Sequence, residues 1–129
     1  MTRKRAPRAS GPTVTVCRGC CCGTDRKHPG YDHRAQLERL RADTAGVGRV
    51  AVADCLDACA QSNVVVVSPS PAGRAAGARP VWVLGVLDAA TEDEVTAWVR
   101  AGGPGIADPP GMLDLRVFQP ARRIRSAFE

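Results

Sequence analysis

Aromatic side chains are scarce. Only Tyr31, Trp82, Trp98, Phe118 and Phe128 occur among 129 residues, so a core has to be built mainly from Val, Leu and Ala, which is small but sufficient for one domain. Long apolar runs are missing, and no stretch approaches the ~20 residues that span a bilayer. The amino terminus, Met-Thr-Arg-Lys-Arg-Ala-Pro-Arg-Ala-Ser, has no apolar segment behind it that a secretion pathway would read. The expectation is a cytoplasmic protein with no membrane association. No internal repeat or heptad is visible.

Lysine is nearly absent too: sixteen of the 18 basic residues are arginine. The net charge of +5 invites a nucleic-acid reading, but its distribution argues against one. Residues 1–10 hold Arg3, Lys4, Arg5 and Arg8, and residues 120–129 hold Arg122, Arg123 and Arg125 against Glu129, which leaves the interior near neutrality. Two short basic ends are a weak footprint for specific DNA or RNA binding. The chain divides into a basic flexible tail over 1–11, a folded domain over 12–105, and a Pro-rich, basic C-terminal tail over 106–129.

What the sequence does have is cysteine, six in all: Cys17, Cys20, Cys21, Cys22, Cys55 and Cys59. In a reducing compartment, clustered thiols serve as metal ligands or redox catalysts more often than as structural bridges. Their placement follows from the surrounding pattern. Thr13 to Val16 is a β-branched run with Val14 and Val16 on one face, and it leads into Cys17. Asp32 can cap a helix that turns Ala35, Leu37 and Leu40 inward, until Gly46 and Gly48 end it. Arg49 to Asp54 is a second strand with Val50 and Val52 on one face, and it leads into Cys55-Leu-Asp-Ala-Cys59.

Asn63 to Val67 carries four consecutive valines, as a strand buried on both faces does. A Pro/Gly/Ala-rich stretch over 68–80 reads as a long mobile loop, joining that strand to Val81-Trp-Val-Leu-Gly-Val-Leu87 in an antiparallel hairpin. Thr91 and Glu94 have capping-box spacing, and Val95, Trp98 and Val99 follow at helical intervals before Gly102-Gly-Pro-Gly105. The order is β-α-β-β-β-α, an α/β domain with a mixed four-stranded sheet. A strand–helix–strand crossover makes its two strands parallel, so both cysteine groups leave the same end of one sheet. Open α/β folds usually place their sites there.

Soft thiolates in two pairs suit zinc or an iron–sulfur cluster, and a [2Fe–2S] cluster takes two protein ligands on each iron. Cys55 and Cys59 pair as Cys-x3-Cys without a competing choice. Cys17 can pair with Cys20, Cys21 or Cys22. A zinc site from Cys17, Cys20, Cys55 and Cys59 is the main alternative. A thiol–disulfide oxidoreductase using Cys17-Arg-Gly-Cys20 is a lesser one, because it leaves Cys55 and Cys59 without a task.

The pattern Cys17-Arg-Gly-Cys-Cys-Cys22 followed by Val52-Ala-Asp-Cys55-Leu-Asp-Ala-Cys59 resembles the thioredoxin-like [2Fe–2S] ferredoxins, which include the small cluster-bearing subunit of respiratory NADH dehydrogenase and related hydrogenases. The resemblance covers residues 13 to 100. It implies a thioredoxin-like fold, a [2Fe–2S] cluster held by Cys17, Cys22, Cys55 and Cys59, and one-electron transfer between partner proteins, a reductase or an oxidoreductase, without catalysis by the chain itself. The helical amino-terminal extension of the respiratory subunits has no counterpart, which points to a free-standing ferredoxin.

Gly19 and Gly23 beside the first group are either N–H donors to inorganic sulfide or ordinary turn glycines. Asp25, Asp54 and Asp57 are offset by Arg18, Arg26 and Lys27, so the polarity of the cysteine end stays open. His28 and His33 are expected to be bystanders, and Trp82 and Trp98 core aromatics. The apolar patch of Met112, Leu113, Leu115, Val117 and Phe118 is expected either to pack back or to dock on a partner, and it and the hairpin strands are candidate surfaces for a homodimer.

Overall fold

The computed structural model describes residues 11–17, 32–53 and 64–118. Its strands are β1 (Thr13–Cys17), β2 (Arg49–Ala53), β3 (Val65–Ser68), β4 (Val81–Val83) and β5 (Val117–Phe118), and its helices are α1 (His33–Thr44), α2 (Pro71–Ala75) and α3 (Ala89–Arg100). The strands form one mixed sheet in the order β2-β1-β3-β4-β5. β1 and β2 are parallel, while the β1/β3, β3/β4 and β4/β5 pairs are antiparallel. The architecture is mixed α/β, as the sequence pattern required, with five strands where four were expected.

Alternation along the strands fixes which side faces the helices. Val14 and Val16 of β1, Val65 and Val67 of β3 and Val83 of β4 lie on one face and form the core with Leu40, Val95, Trp98, Val99 and Leu113. The opposite face carries Thr15, Val66 and Trp82, all buried. β3 has strands on both sides, which explains its unbroken valine run: Val64 to Val67 are each at most 1% exposed. Among the described residues β2 is at the edge of the sheet, next to β1, and Val52, placed on one face with Val50, is 46% exposed there.

The fifth strand arises inside the stretch that the sequence pattern assigned to the C-terminal tail. Residues 106–118 turn back onto the domain. Ala107 O accepts from Trp98 Nε1 at 2.8 Å, Leu113 is fully buried in a 3-10 turn over Leu113–Arg116, and Phe118 pairs with Trp82, the rings edge-on with centroids 6.1 Å apart. A two-residue strand has no periodicity to detect, so its pairing is visible only in three dimensions.

Helix ends account for the other differences. The stretch expected as a loop over 68–80 contains α2, because Ser70 caps it by accepting from Gly73 N at 3.0 Å and Pro71 occupies its first turn. α3 starts at Asp88, whose carboxylate accepts from Thr91 N at 2.7 Å, so the cap is Asp88 and the Thr91/Glu94 spacing is no capping box. Gly102 and Gly103 close α3 as expected. Their φ values are 118° and 75°, and their N–H groups return to Val99 O and Trp98 O, the paired bonds of a glycine-terminated helix.

α1 begins at Asp32 as expected, with Asp32 Oδ1 accepting from Ala35 N at 3.0 Å. Its inner stripe is His33, Gln36, Leu40 and Thr44. Ala35 and Leu37 are only half-buried, so the helix is rotated from the expected orientation to bring Gln36 inside. No helix among the described residues is long and apolar enough to cross a membrane.

Candidate metal centre

Cys17 ends β1, and its Cα lies opposite that of Ala53, the last residue of β2. Neighbouring strands stand about 4.8 Å apart, and Cys55 is two residues past Ala53, a length of chain that cannot extend beyond about 7 Å. Cys17 and Ala53 therefore end adjacent, parallel, in-register strands, and the other thiols follow them in the sequence. Two features of the sequence build this. The β-branched runs of β1 and β2 pair through the crossover, and α1 between them has the length to return the chain to the start of the sheet.

Cys20, Cys21, Cys22, Cys55, Cys59 and His28 lie outside the described residues, as do Gly19, Gly23, Asp25, Asp54 and Asp57 and their basic counterparts Arg18, Arg26 and Lys27. Among the described residues no three His, Cys, Asp or Glu side chains form a metal-holding group. His33 is buried in the first turn of α1, inside the α1 stripe.

Three described residues at the same end of the sheet escaped the sequence reading. Glu92, in the first turn of α3, is 3% exposed. Arg39 Nε and Nη2 donate to its two carboxylate oxygens at 2.8 and 2.9 Å, a two-pronged contact. Gln36 Nε2 donates to Glu92 Oε2 at 3.2 Å and to Val86 O at 2.9 Å. A buried carboxylate is tolerated only when paired and hydrogen-bonded in this way. The signal for it was present: Glu92 stands in register with Val95, Thr96 and Val99 on the inner stripe of α3, a charge on an apolar face.

Close by, Asp88 has its carboxyl held below the usual carboxylate range. The main cause is the hydrogen bond from the Thr91 backbone, followed by that from the Thr91 hydroxyl; partial burial opposes them, and the Arg116 charge adds a little. An open cleft of about 320 Å³ lies between Val81, Trp98, Pro104 and Ala107. Its lining contains no thiol or imidazole.

No family model, curated protein or solved structure matches the chain. The chemistry of the strand ends thus carries the functional argument.

Proposed function

We propose that the chain is a one-electron carrier holding a [2Fe–2S] cluster through Cys17, Cys22, Cys55 and Cys59. The observation that supports this reading is the pairing of Cys17 with Ala53: β1 and β2 end side by side, and in the sequence a Cys-x4-Cys group begins at the end of one and a Cys-x3-Cys group follows the other. Four soft donors divided into two pairs meet the need of a two-iron cluster for two thiolates per iron. When bound, such a cluster takes up and gives back a single electron.

The strand arrangement supports a thioredoxin-like domain, with parallel β2 and β1 followed by antiparallel β3 and β4 and β5 as an added edge. On this reading the protein exchanges electrons with a partner oxidoreductase and transforms no substrate itself. The residues around the thiols hold the cluster, shield it and set how readily it is reduced.

The test is the visible absorption spectrum of protein purified without oxygen, before and after dithionite. Brown protein with charge-transfer bands that partly bleach is the expected result. Protein still colourless after anaerobic reconstitution with iron and sulfide overturns the ferredoxin reading and turns attention to zinc at Cys17, Cys20, Cys55 and Cys59.

A further inference from the structure

The apolar patch over residues 112–118 divides in two. Leu113 is buried in the core and Val117 and Phe118 join the sheet beside β4, whereas Met112 and Leu115 are 63% and 73% exposed. The turn that carries them explains the split. Leu115 N donates to Met112 O at 3.1 Å, and in a 3-10 turn residues three apart stand on the same side. Leu113 thus anchors the turn from within while Met112 and Leu115 stand side by side outside. Single exposed apolar residues are commonplace, but two large ones together offer a contact surface. Carboxylates flank the pair. Asp114 is exposed between them in the sequence, Glu94 Oε2 accepts from Met112 N at 3.1 Å, and Asp88 is exposed at the start of α3 within reach of the Arg116 charge. Against them stands Arg116, whose Nη1 donates to Gly85 O at 3.2 Å. The surface is therefore acidic, although the excess positive charge of the chain sits in residues 1–10 and 120–129.

We propose that Met112 and Leu115, flanked by these carboxylates, form the docking surface for a redox partner protein whose contact face is apolar at its centre and basic around it. This rests on the ferredoxin reading and gives the partner its chemistry. The position of the patch supports it. Val16 pairs with Val65, Val65 with Val83 and Val83 with Val117, and Leu84 N donates to Arg116 O at 2.9 Å. Leu115 therefore lies at the end of the sheet where β1 finishes with Cys17. β5 is three strand spacings from β1, about 14 Å, so a partner seated on the patch stands over the same sheet end. Electron-transfer encounters are weak and bury less than about 1,200 Å², for which two large side chains and a few carboxylates suffice. Opposite charge on the partner speeds the encounter, and an acidic partner would be turned away.

The experiment follows, by stopped flow, electron transfer from the reduced, reconstituted protein to cytochrome c, a basic haem protein, and to a small uncharged quinone. The double variant Met112→Ala/Leu115→Ala is expected to lower the rate to cytochrome c about fivefold, the effect of a modest interface contact. Asp114→Lys is expected to lower it more than Asp43→Lys, which changes the net charge equally but lies where α1 and α3 end, away from the patch. Every variant is expected to keep the midpoint potential of the parent and its rate with the quinone, so that a loss confined to cytochrome c reports docking. Equal losses in Asp114→Lys and Asp43→Lys overturn the proposal. A parent dimer that the double variant splits into monomers assigns the surface to a second copy of the chain and overturns it too. Parent protein that takes up no cluster overturns the ferredoxin reading and this proposal with it. Loaded parent that passes no electrons to cytochrome c, or passes them at the rate of the double variant, overturns this proposal alone.

Discussion

Single atoms decide several features of this domain. The Asp88 carboxylate satisfies an N–H at the start of α3 that has no partner within the helix. Asp88→Ala is expected to cost about 1 kcal/mol, the usual effect of losing a side-chain cap, as read by urea denaturation at pH 7. The same contact sets a pH dependence. The folded-state carboxyl is lowered, so its contribution is complete above the unfolded value near pH 4 and disappears as the pH falls through the lower folded value. Parent and Asp88→Ala stabilities should therefore converge towards pH 2. Gly73 makes a different point. A Cβ built there would come within 2.3 Å of the Pro104 carbonyl oxygen, so Gly73→Ala is expected to destabilise by about 1–3 kcal/mol through forced backbone movement. Thermal melting checks it.

Among the elements, the least expected is the segment beyond α3. Leu113 fills the core from a 3-10 turn, and β5 closes the β4 side of the sheet. Leu113→Ala is expected to cost about 2–5 kcal/mol, the range for emptying a fully buried leucine site, whereas Leu115→Ala, at a position 73% exposed, should be nearly neutral. Equal effects in denaturant titrations would refute the packing described. The comparison of pattern with structure is instructive here. α1, α3, β1 and β2 were legible because each has a periodic stripe or a capping residue: Asp32 begins α1, and Gly102 and Gly103 close α3. α2 was missed because its Pro71 and Gly73 read as loop chemistry, although Ser70-Pro71 is a good helix start. The rotation of α1 was missed because Gln36 is polar, and its burial depends on Glu92 and Val86 O, 50 or more residues away. Spacing picked out the two thiol groups, and the crossover led to the expectation that they share one sheet end; of the six cysteines only Cys17 falls among the described residues, at the end of β1. The charge of Glu92 on the apolar stripe of α3 was a sign of a buried carboxylate, but nothing local named Arg39 as its partner.

At the scale of the whole molecule, the core formed by the described residues contains no cysteine. The sheet and both long helices are joined through valines, Leu40, Trp98 and Leu113, none of which depends on cysteine. Metal-free protein is therefore expected to keep its far-UV circular dichroism and a cooperative melt, at a lower temperature than the loaded form because binding favours the folded state. Collapse to a random-coil spectrum on chelation would instead indicate a structural metal module. Within that intact fold, Cys55→Ser or Cys59→Ser should abolish cluster absorption after reconstitution. The double variant Cys20→Ser/Cys21→Ser should retain it, which identifies Cys22 as the partner of Cys17.

The sheet order also dictates a sequence of events during synthesis. β1 is made early, yet it lies between β2 and β3, and its antiparallel partner opposite Val14 is Val67, some fifty residues later. A chain still on the ribosome therefore carries Cys20, Cys21 and Cys22 well before β3 completes the pairing of β1. During that interval Cys20, Cys21 and Cys22 are free to oxidise to one another while β1 still lacks its partner β3.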